Sequence, residues 1–484
     1  VKSFGHAAFG ASLVALGACA TVPADRGFAD VHRATESRGV LLPDDVADRA
    51  ALVADVLSRP LTVDDAVRIA LLQSPAVQMQ YAALGLSGAD VVRAGRLTNP
   101  TLAATWQSSS RSSDASRYDL GLTQNFAELL MLSARTRFAR GEFERAKLDA
   151  TQRLLGAASD VANGYYEAVG AEQIAQMRAT TAGAARASAA LMRQFKEAGN
   201  VDALELAMNE AQASQAALDD ESAAADAVSA RSALNERMGL AAGTPWRLTS
   251  LRSPVPQEDA LEGLQQRAAD HRADLESDRR AVALLEDALG VARTYRFVGD
   301  VEVGVQYERD TDRAKLIGPS FALQVPLFQQ GQASVLHAEA MLDQARAQAR
   351  ATEIAVSNAV FAANDRVRAA RRRVERLHDE TIPLREKIVA CTQERQNYML
   401  IGVFDLLRAK EDEYAAYQQY IEAVRDYWLA RVDLARAVGA RLLSDAAIGA
   451  PAALPEIEPD VRGLGSAPPP AGEARQSFMP DHHH

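Results

Sequence analysis

The chain has 484 residues, 53 Lys and Arg against 64 Asp and Glu, a formal net charge of −11 and 6% aromatic residues. An acidic balance without dense positive charge argues against a nucleic-acid partner, because phosphate binding needs clustered Lys and Arg. No apolar run of about 18 residues lies beyond the N-terminus, so no segment suits a spanning helix, whereas barrel strands of about 10 alternating residues remain open.

In chain order, Lys2 precedes an apolar run from Ala7 to Leu16 and then Leu16-Gly17-Ala18-Cys19. This resembles a bacterial lipoprotein signal over 1–18, with cleavage before Cys19 and lipid on its thiol; an ordinary signal peptide is the alternative. Ala20 after the cysteine implies sorting to the outer membrane. Residues 19–60 form a polar leader. Cys391 has no intramolecular partner once Cys19 is lipidated, and reads as a small apolar helix residue.

From residue 61 one order of elements occurs twice. In the first copy, 61–242, a helical segment (Val63–Ala94) leads to an alternating stretch (Thr101–Ser108), a polar loop (Ser109–Arg117) and a second alternating stretch (Tyr118–Phe126). A very long helix (about Leu132–Phe195), a turn at Gly199 and a returning helix (about Val201–Met238) follow. After a Pro-rich linker, 243–259, the second copy, 260–442, repeats the order: Ala260–Arg293, Asp300–Glu308, Arg309–Leu316, Gly318–Phe328, Gln332–Tyr398, a turn at Gly402 and Phe404–Val438. Phe195 and Tyr398 each lie four residues before the turn glycine, and Asp202 and Asp405 follow it. The duplication has a period of about 200 residues. A Pro- and Gly-rich tail, 443–484, closes the chain.

Val301, Val303, Val305 and Tyr307 alternate with Glu302, Gly304, Gln306 and Glu308, a period-two strand signal. Phe321, Leu323, Val325 and Leu327 alternate with Ser320, Ala322 and Gln324. A soluble sheet would show the same pattern; paired hairpins and only four strands per chain favour part of a barrel. The expectation is that Val301, Val303, Val305, Phe321, Leu323 and Val325 meet lipid, and Glu302, Gln306, Glu308 and Gln324 the lumen. Val356, Val360, Ala363, Val367, Ala370, Val374 and Leu377 form a coiled-coil seam. A helix of about 60 residues spans about 90 Å, more than a globular core needs. Pro383 predicts a kink. The fold class is mainly α with a small β-barrel part.

This order, duplicated, resembles the TolC-type outer-membrane factors of tripartite efflux pumps. Its marks are Asn99-Pro100, Pro326-Leu327-Phe328 with Gly331, Ile382-Pro383, and Tyr398…Gly402…Asp405-Leu406-Leu407. The resemblance covers about residues 60–440. It implies a homotrimer in outer-membrane lipid, with a twelve-stranded barrel above a twelve-helix periplasmic tunnel. It also implies a periplasmic adaptor and an inner-membrane pump as partners, and no cofactor or enzyme activity. The tips at Gly199, Asn200, Gly402 and Val403 would contact the adaptor. Asp405 matches the family's acidic aperture residue, while Arg408 replaces a second one; Asp405 and Arg408 are spaced to pair, and Asp202 is a weaker gate residue. Either Asp has the alternative role of capping its helix. Phe28–Arg33 resembles the metal-efflux branch. The terminal His482, His483 and His484 fit metal contact or the remains of a purification tag.

No HExxH, CxxC pair, P-loop, GxSxG or dinucleotide fingerprint is present. His378-Asp379-Glu380 and Arg371-Arg372-Arg373 read as exposed helix faces, and His32, His271 and His337 as isolated. The rival reading is a soluble periplasmic coiled-coil scaffold or adaptor-like protein, although no lipoyl-like module is evident.

Overall fold

A computed structural model describes residues 25–41, 49–108, 115–255 and 257–447. Two short helices, α1 (Phe28–Glu36) and α2 (Arg49–Ser58), precede the duplicated part. The first copy comprises α3 (Val63–Gln73), α4 (Pro75–Ala94), β1 (Thr101–Gln107), β2 (Arg117–Asn125), α5 (Ala127–Glu197) and α6 (Ala203–Met238). The second comprises α7 (Leu261–His271), α8 (Ala273–Thr294), β3 (Val301–Arg309), β4 (Lys315–Leu323), α9 (Gln332–Arg376), a π-turn (Leu377–Thr381), α10 (Ile382–Asn397) and α11 (Val403–Val438).

Each expected first helix is broken once. Pro75 forces Ser74 into an extended conformation between α3 and α4, since proline disfavours the helical region for the residue before it. In the second copy Arg272 is extended without a proline. Its guanidinium instead binds Asp274, 2.8 Å from Nε to Oδ1, and the carbonyls of Arg436 and Ala437. Burial works to raise the Asp274 carboxyl, but Arg272 outweighs it and holds the group below its ordinary range. Each break receives the C-terminal glycine of a returning helix. Gly239 (φ +73°) and Gly439 (φ +76°) are left-handed, and a Cβ there would come within 3.0 Å of Ser74 and 2.9 Å of Arg272. Both the backbone angle and the close approach require glycine.

The helix α5 runs 71 residues, about 107 Å at 1.5 Å per residue. The seam residues of α9 are buried, Val360 and Val367 completely, and Ala370 packs partly buried against them. They face a core made with Val161, Tyr165, Leu234, Tyr427 and Leu434. Just before Pro383, where the sequence predicts a kink, the helix carries a π-turn. Pro383 lacks an N–H and sits in the first turn of α10, so one extra residue in the preceding turn re-registers the ladder. The linker between the copies packs into the helical core. Trp246, Leu251 and Val255 are buried in this core, Leu61 bridges Leu248, and Trp246 donates its indole N–H to Asn235 at 2.7 Å.

The four strands form one antiparallel sheet in the order β1-β2-β3-β4. β2 therefore pairs with β3 as well as with its own hairpin partner, joining the copies. β4 begins and ends earlier than the alternation predicts. The turn Asp310–Ala314 closes with a 3.0 Å bond from Asp310 N–H to the Ala314 carbonyl, which brings Lys315 opposite Arg309. Beyond Leu323 only Gln324 N–H still bonds across, to Asp300, and Pro326 has no N–H to continue. Gln324 and Val325 thus lie outside the strand.

Candidate functional site

The register sorts the sheet into two faces. Leu102 lies opposite Leu122, Leu122 opposite Val305, and Val305 opposite Pro319. The next row is Ala104, Leu120, Tyr307 and Ile317. With Val303, Phe321 and Leu323 these make an apolar face that continues across all four strands. It is solvent-exposed along its length, Ile317 by 77% and Phe321 by 67%. The opposite face carries Thr105, Gln107, Arg117, Asp119, Thr123, Glu302, Gln306, Glu308 and Ser320. Three of its charges pair: Arg117 binds Glu308 at 2.5 Å and Asp119 at 3.3 Å. Val301, Val303, Val305, Phe321 and Leu323 share the apolar side, while Glu302, Gln306 and Glu308 share the polar one.

The apolar band is bounded at both ends by aromatics. At the hairpin-loop end Trp106 stacks on Tyr118, with centroids 6.2 Å apart and planes 6° apart. At the helix end Phe126, Phe297 and Phe328 are exposed, and the Arg296 guanidinium lies 4.4 Å from the Phe297 ring. β1 and β4 have open edges in the single chain.

At the far ends of the long helices, two turns reverse the chain with the same backbone. Asn200 N–H bonds the Phe195 carbonyl at 2.9 Å, and Leu400 N–H bonds Arg395 at 3.0 Å. Gly199 N–H bonds Lys196, and Met399 N–H bonds Gln396. The left-handed position is Gly199 (φ +80°) in the first turn but Met399 (φ +59°) in the second. Gly402 does not make the reversal. It is extended (φ −78°, ψ 163°) and occupies the N-cap of α11, where the first copy has Asp202. Matching the turns by their glycines is therefore out of step with the backbone: Gly199 corresponds to Met399 and Asp202 to Gly402.

The two acids differ accordingly. Asp202 caps α6, accepting the Glu205 N–H at 2.7 Å. Asp405 lies within the first turn of α11, exposed, and its carboxylate has no hydrogen-bond or ion-pair partner among the described residues. Arg408 is also exposed, and the expected Asp405–Arg408 pair is not formed. Asn200 and Val403 flank the turns; Asn200 is exposed and Val403 half-buried.

No known family model matches the chain, and no curated protein matches it in sequence. Solved structures match its fold. A membrane protein from Pseudomonas aeruginosa superposes with a TM-score of 0.65 at 19% identity, over 78% of this chain and 93% of that one. The Campylobacter jejuni CmeC outer membrane channel gives 0.65 at 17% identity, over 78% and 85%. The Neisseria gonorrhoeae MtrE outer membrane channel, in its open state, gives 0.64 at 16% identity, over 78% and 89%. The chain has the fold of these outer-membrane channels.

Within that channel fold, two features escaped the sequence reading. The first is the apolar crown of the second turn, Tyr398, Met399 and Leu400, with Met399 93% exposed. The first turn offers Ala198, Gly199 and Asn200 in the same places. The second is a clasp at the helix crossing. Arg431 is buried, binding Glu258, Asp445 and Ser444, and Tyr427 donates to Glu258 at 2.6 Å. Burial raises the Tyr427 hydroxyl far above its usual range. Spacing along the chain could not reveal that residues of the linker and α11 meet.

Cys19 and His482, His483 and His484 lie outside the described residues. Phe28–Arg33 begins α1, where Phe28 meets Tyr81 edge-on at 4.7 Å and Asp30 binds Lys147 at 2.5 Å. The π-turn brings His378 within 2.7 Å of Asp379, although helical geometry predicts that they diverge. Among the described residues no three His, Cys, Asp or Glu side chains are grouped to hold a metal, and Cys391 is an exposed free thiol. No described helix is long and apolar enough to cross a membrane.

Proposed function

We propose that the chain is the outer-membrane exit duct of a tripartite efflux system, a passive channel and not an enzyme. The observation that carries this reading is the exposed apolar face running unbroken across a four-stranded sheet with two open edges. In water such a face is unfavourable by about 1.5–3 kcal/mol for each large side chain left unburied. In lipid it is the favourable outer wall of a barrel, but open edges are then intolerable. Three copies joined β4 to β1 remove every edge and give a twelve-stranded barrel with the polar face lining a water-filled bore. The likeness of the fold to outer-membrane channels supports the same reading.

The long helices then extend into the periplasm as a tunnel whose tips, around Gly199, Asn200, Gly402 and Val403, meet a periplasmic adaptor fed by an inner-membrane pump. Three Asp405 carboxylates ring the aperture and favour cations. Lipid on Cys19 tethers each protomer. Metal cations are the first cargo to test, given the residues 28–33. The deciding experiment is reconstitution of the detergent-purified protein into planar bilayers. Discrete cation-selective channels of a trimer support the duct. A monomer released from membranes without detergent, and silent in bilayers, supports the soluble scaffold instead.

A further inference from the structure

The last cross-strand row at the hairpin-loop end breaks the apolar pattern. Trp106 lies opposite Tyr118, Tyr118 opposite Arg309, and Arg309 opposite Lys315. All four stand on the apolar face. The Arg309 guanidinium lies 6.0 Å from the Tyr118 ring centroid. Its Nε is buried without a hydrogen-bond partner. Neither Arg309 nor Lys315 pairs with a carboxylate among the described residues, in contrast to Arg117 on the polar face, which holds both Glu308 and Asp119. The acids of the adjoining turn face their own backbone and make no ion pair with Arg309 or Lys315: Asp310 accepts the Thr311 N–H at 2.7 Å and Asp312 the Ala314 N–H at 2.7 Å. A concavity of 340 Å³ lies beside the row, lined by Ala104, Thr105, Trp106, Tyr118, Leu120, Tyr307 and Arg309.

Two cations without a carboxylate partner among the described residues, at the upper rim of an exposed apolar band, suit an anion supplied by the surroundings. We propose that Arg309 and Lys315, with Trp106 and Tyr118 as a floor, bind the phosphate of an anionic lipid headgroup in the leaflet at the hairpin-loop end. The acyl chains of that lipid would lie on the row below, Leu120, Tyr307 and Ile317. The guanidinium supplies paired donors suited to phosphate oxygens, and the ammonium adds a point charge. The amphipathic aromatics suit the depth where chains give way to headgroups. A lipid is favoured over a free anion because the concavity continues onto the apolar band and not onto a polar surface. The inference rests on the duct reading, since only a barrel places this row at a membrane interface.

The test titrates the intact trimer in nonionic detergent with bisphosphorylated lipid A, its dephosphorylated form and inorganic phosphate, read by native mass spectrometry and by Tm. The expected result is one retained lipid A per protomer, favoured over the dephosphorylated form by about tenfold, a difference of roughly 1.4 kcal/mol. The double variant R309Q/K315Q should lose that preference while R117Q keeps it. Preference for phosphorylated lipid in the wild type is itself a readout, so poor assembly of the double variant leaves the test intact. Equal binding of both lipids, an unchanged preference in R309Q/K315Q, or saturation by inorganic phosphate alone would overturn the inference while leaving the duct in place. Failure to form any detergent-bound trimer overturns the duct reading, and the lipid site with it.

Discussion

The two helical turns share a backbone and differ in almost everything else. The first is relaxed and polar: glycine fills the left-handed position, and Asp202 is consumed as a cap. The second places Met399 in the left-handed position, surrounds it with Tyr398 and Leu400, and leaves Asp405 unpartnered. A non-glycine residue in that conformation costs about 1–2 kcal/mol. The difference teaches that turn geometry was kept through the duplication while the surface diverged. On the duct reading proposed above, the strained, apolar, exposed second turn would be the docking surface and Asp405 the pore-lining charge.

Exchanging the crowns breaks the comparison most severely. Converting the second turn to the first (Y398A, M399G, L400N) should abolish export in a resistance assay while the trimer's Tm holds or rises. Full export by this variant would show that the adaptor contact lies elsewhere. Next in size come the acids. D202A should cost about 1 kcal/mol of helix stability by removing a cap, seen as a lower Tm. D405N should leave Tm unchanged but weaken cation selectivity and block by trivalent cations in single-channel recordings. A loss of Tm with unaltered selectivity would return Asp405 to a purely structural role.

The left-handed positions give a smaller, signed pair. M399G should relieve strain and raise stability by about 1 kcal/mol, whereas G199A should lower it by a similar amount, both measurable by thermal melts. Equal signs would mean that the turns do not share a backbone.

Much of this was legible in the sequence. Strand alternation and the α9 seam follow from side-chain periods of two and three-to-four, which survive whatever surrounds them. The breaks at Ser74 and Arg272 differ in kind. Pro75 announces the first, but the second depends on Arg272 reaching carbonyls of α11, a contact that no local pattern encodes. The turns misled because glycine serves two purposes: Gly199 supplies a left-handed angle and Gly402 an extended cap, yet both look alike in a sequence. Val325 was assigned to β4 because alternation persists past the last paired residue, and Pro326 ends the ladder before it. The linker's prolines mark the boundary between the copies, but no local pattern encodes that Trp246, Leu251 and Val255 bury themselves in the core.

A smaller difference comes from α1, which packs on the first copy and has no counterpart on the second among the described residues. The hydrogen bond from Lys147 holds the Asp30 carboxyl below its ordinary range, with Arg33 assisting. Burial works to lower the Lys147 ammonium, but Asp30 and Glu144 outweigh it and raise the group. A depressed carboxyl contributes stability above its unfolded value and loses it as pH falls through the folded one; the raised ammonium contributes below its unfolded value and loses it on the alkaline side. Asp30 is more than a third exposed, so the contribution is only a few tenths of a kcal/mol. The Tm gap between wild type and D30N should be present near neutral pH and vanish as the pH falls below the ordinary carboxylate range. A gap that persists in acid would mean that Asp30 acts by packing and not by charge.

The proposed barrel requires the apolar face of the sheet to meet lipid and the polar face to line a bore. The most direct measurement is the yield of folded trimer in outer membranes for V303R beside Q306R. Val303 and Gln306 lie three residues apart on the same strand but on opposite faces. A charge on the lipid side costs about 2–4 kcal/mol near the midplane. V303R should therefore lose most of its trimer, whereas Q306R should assemble fully and alter conductance. Equal yields from the two variants would contradict the barrel.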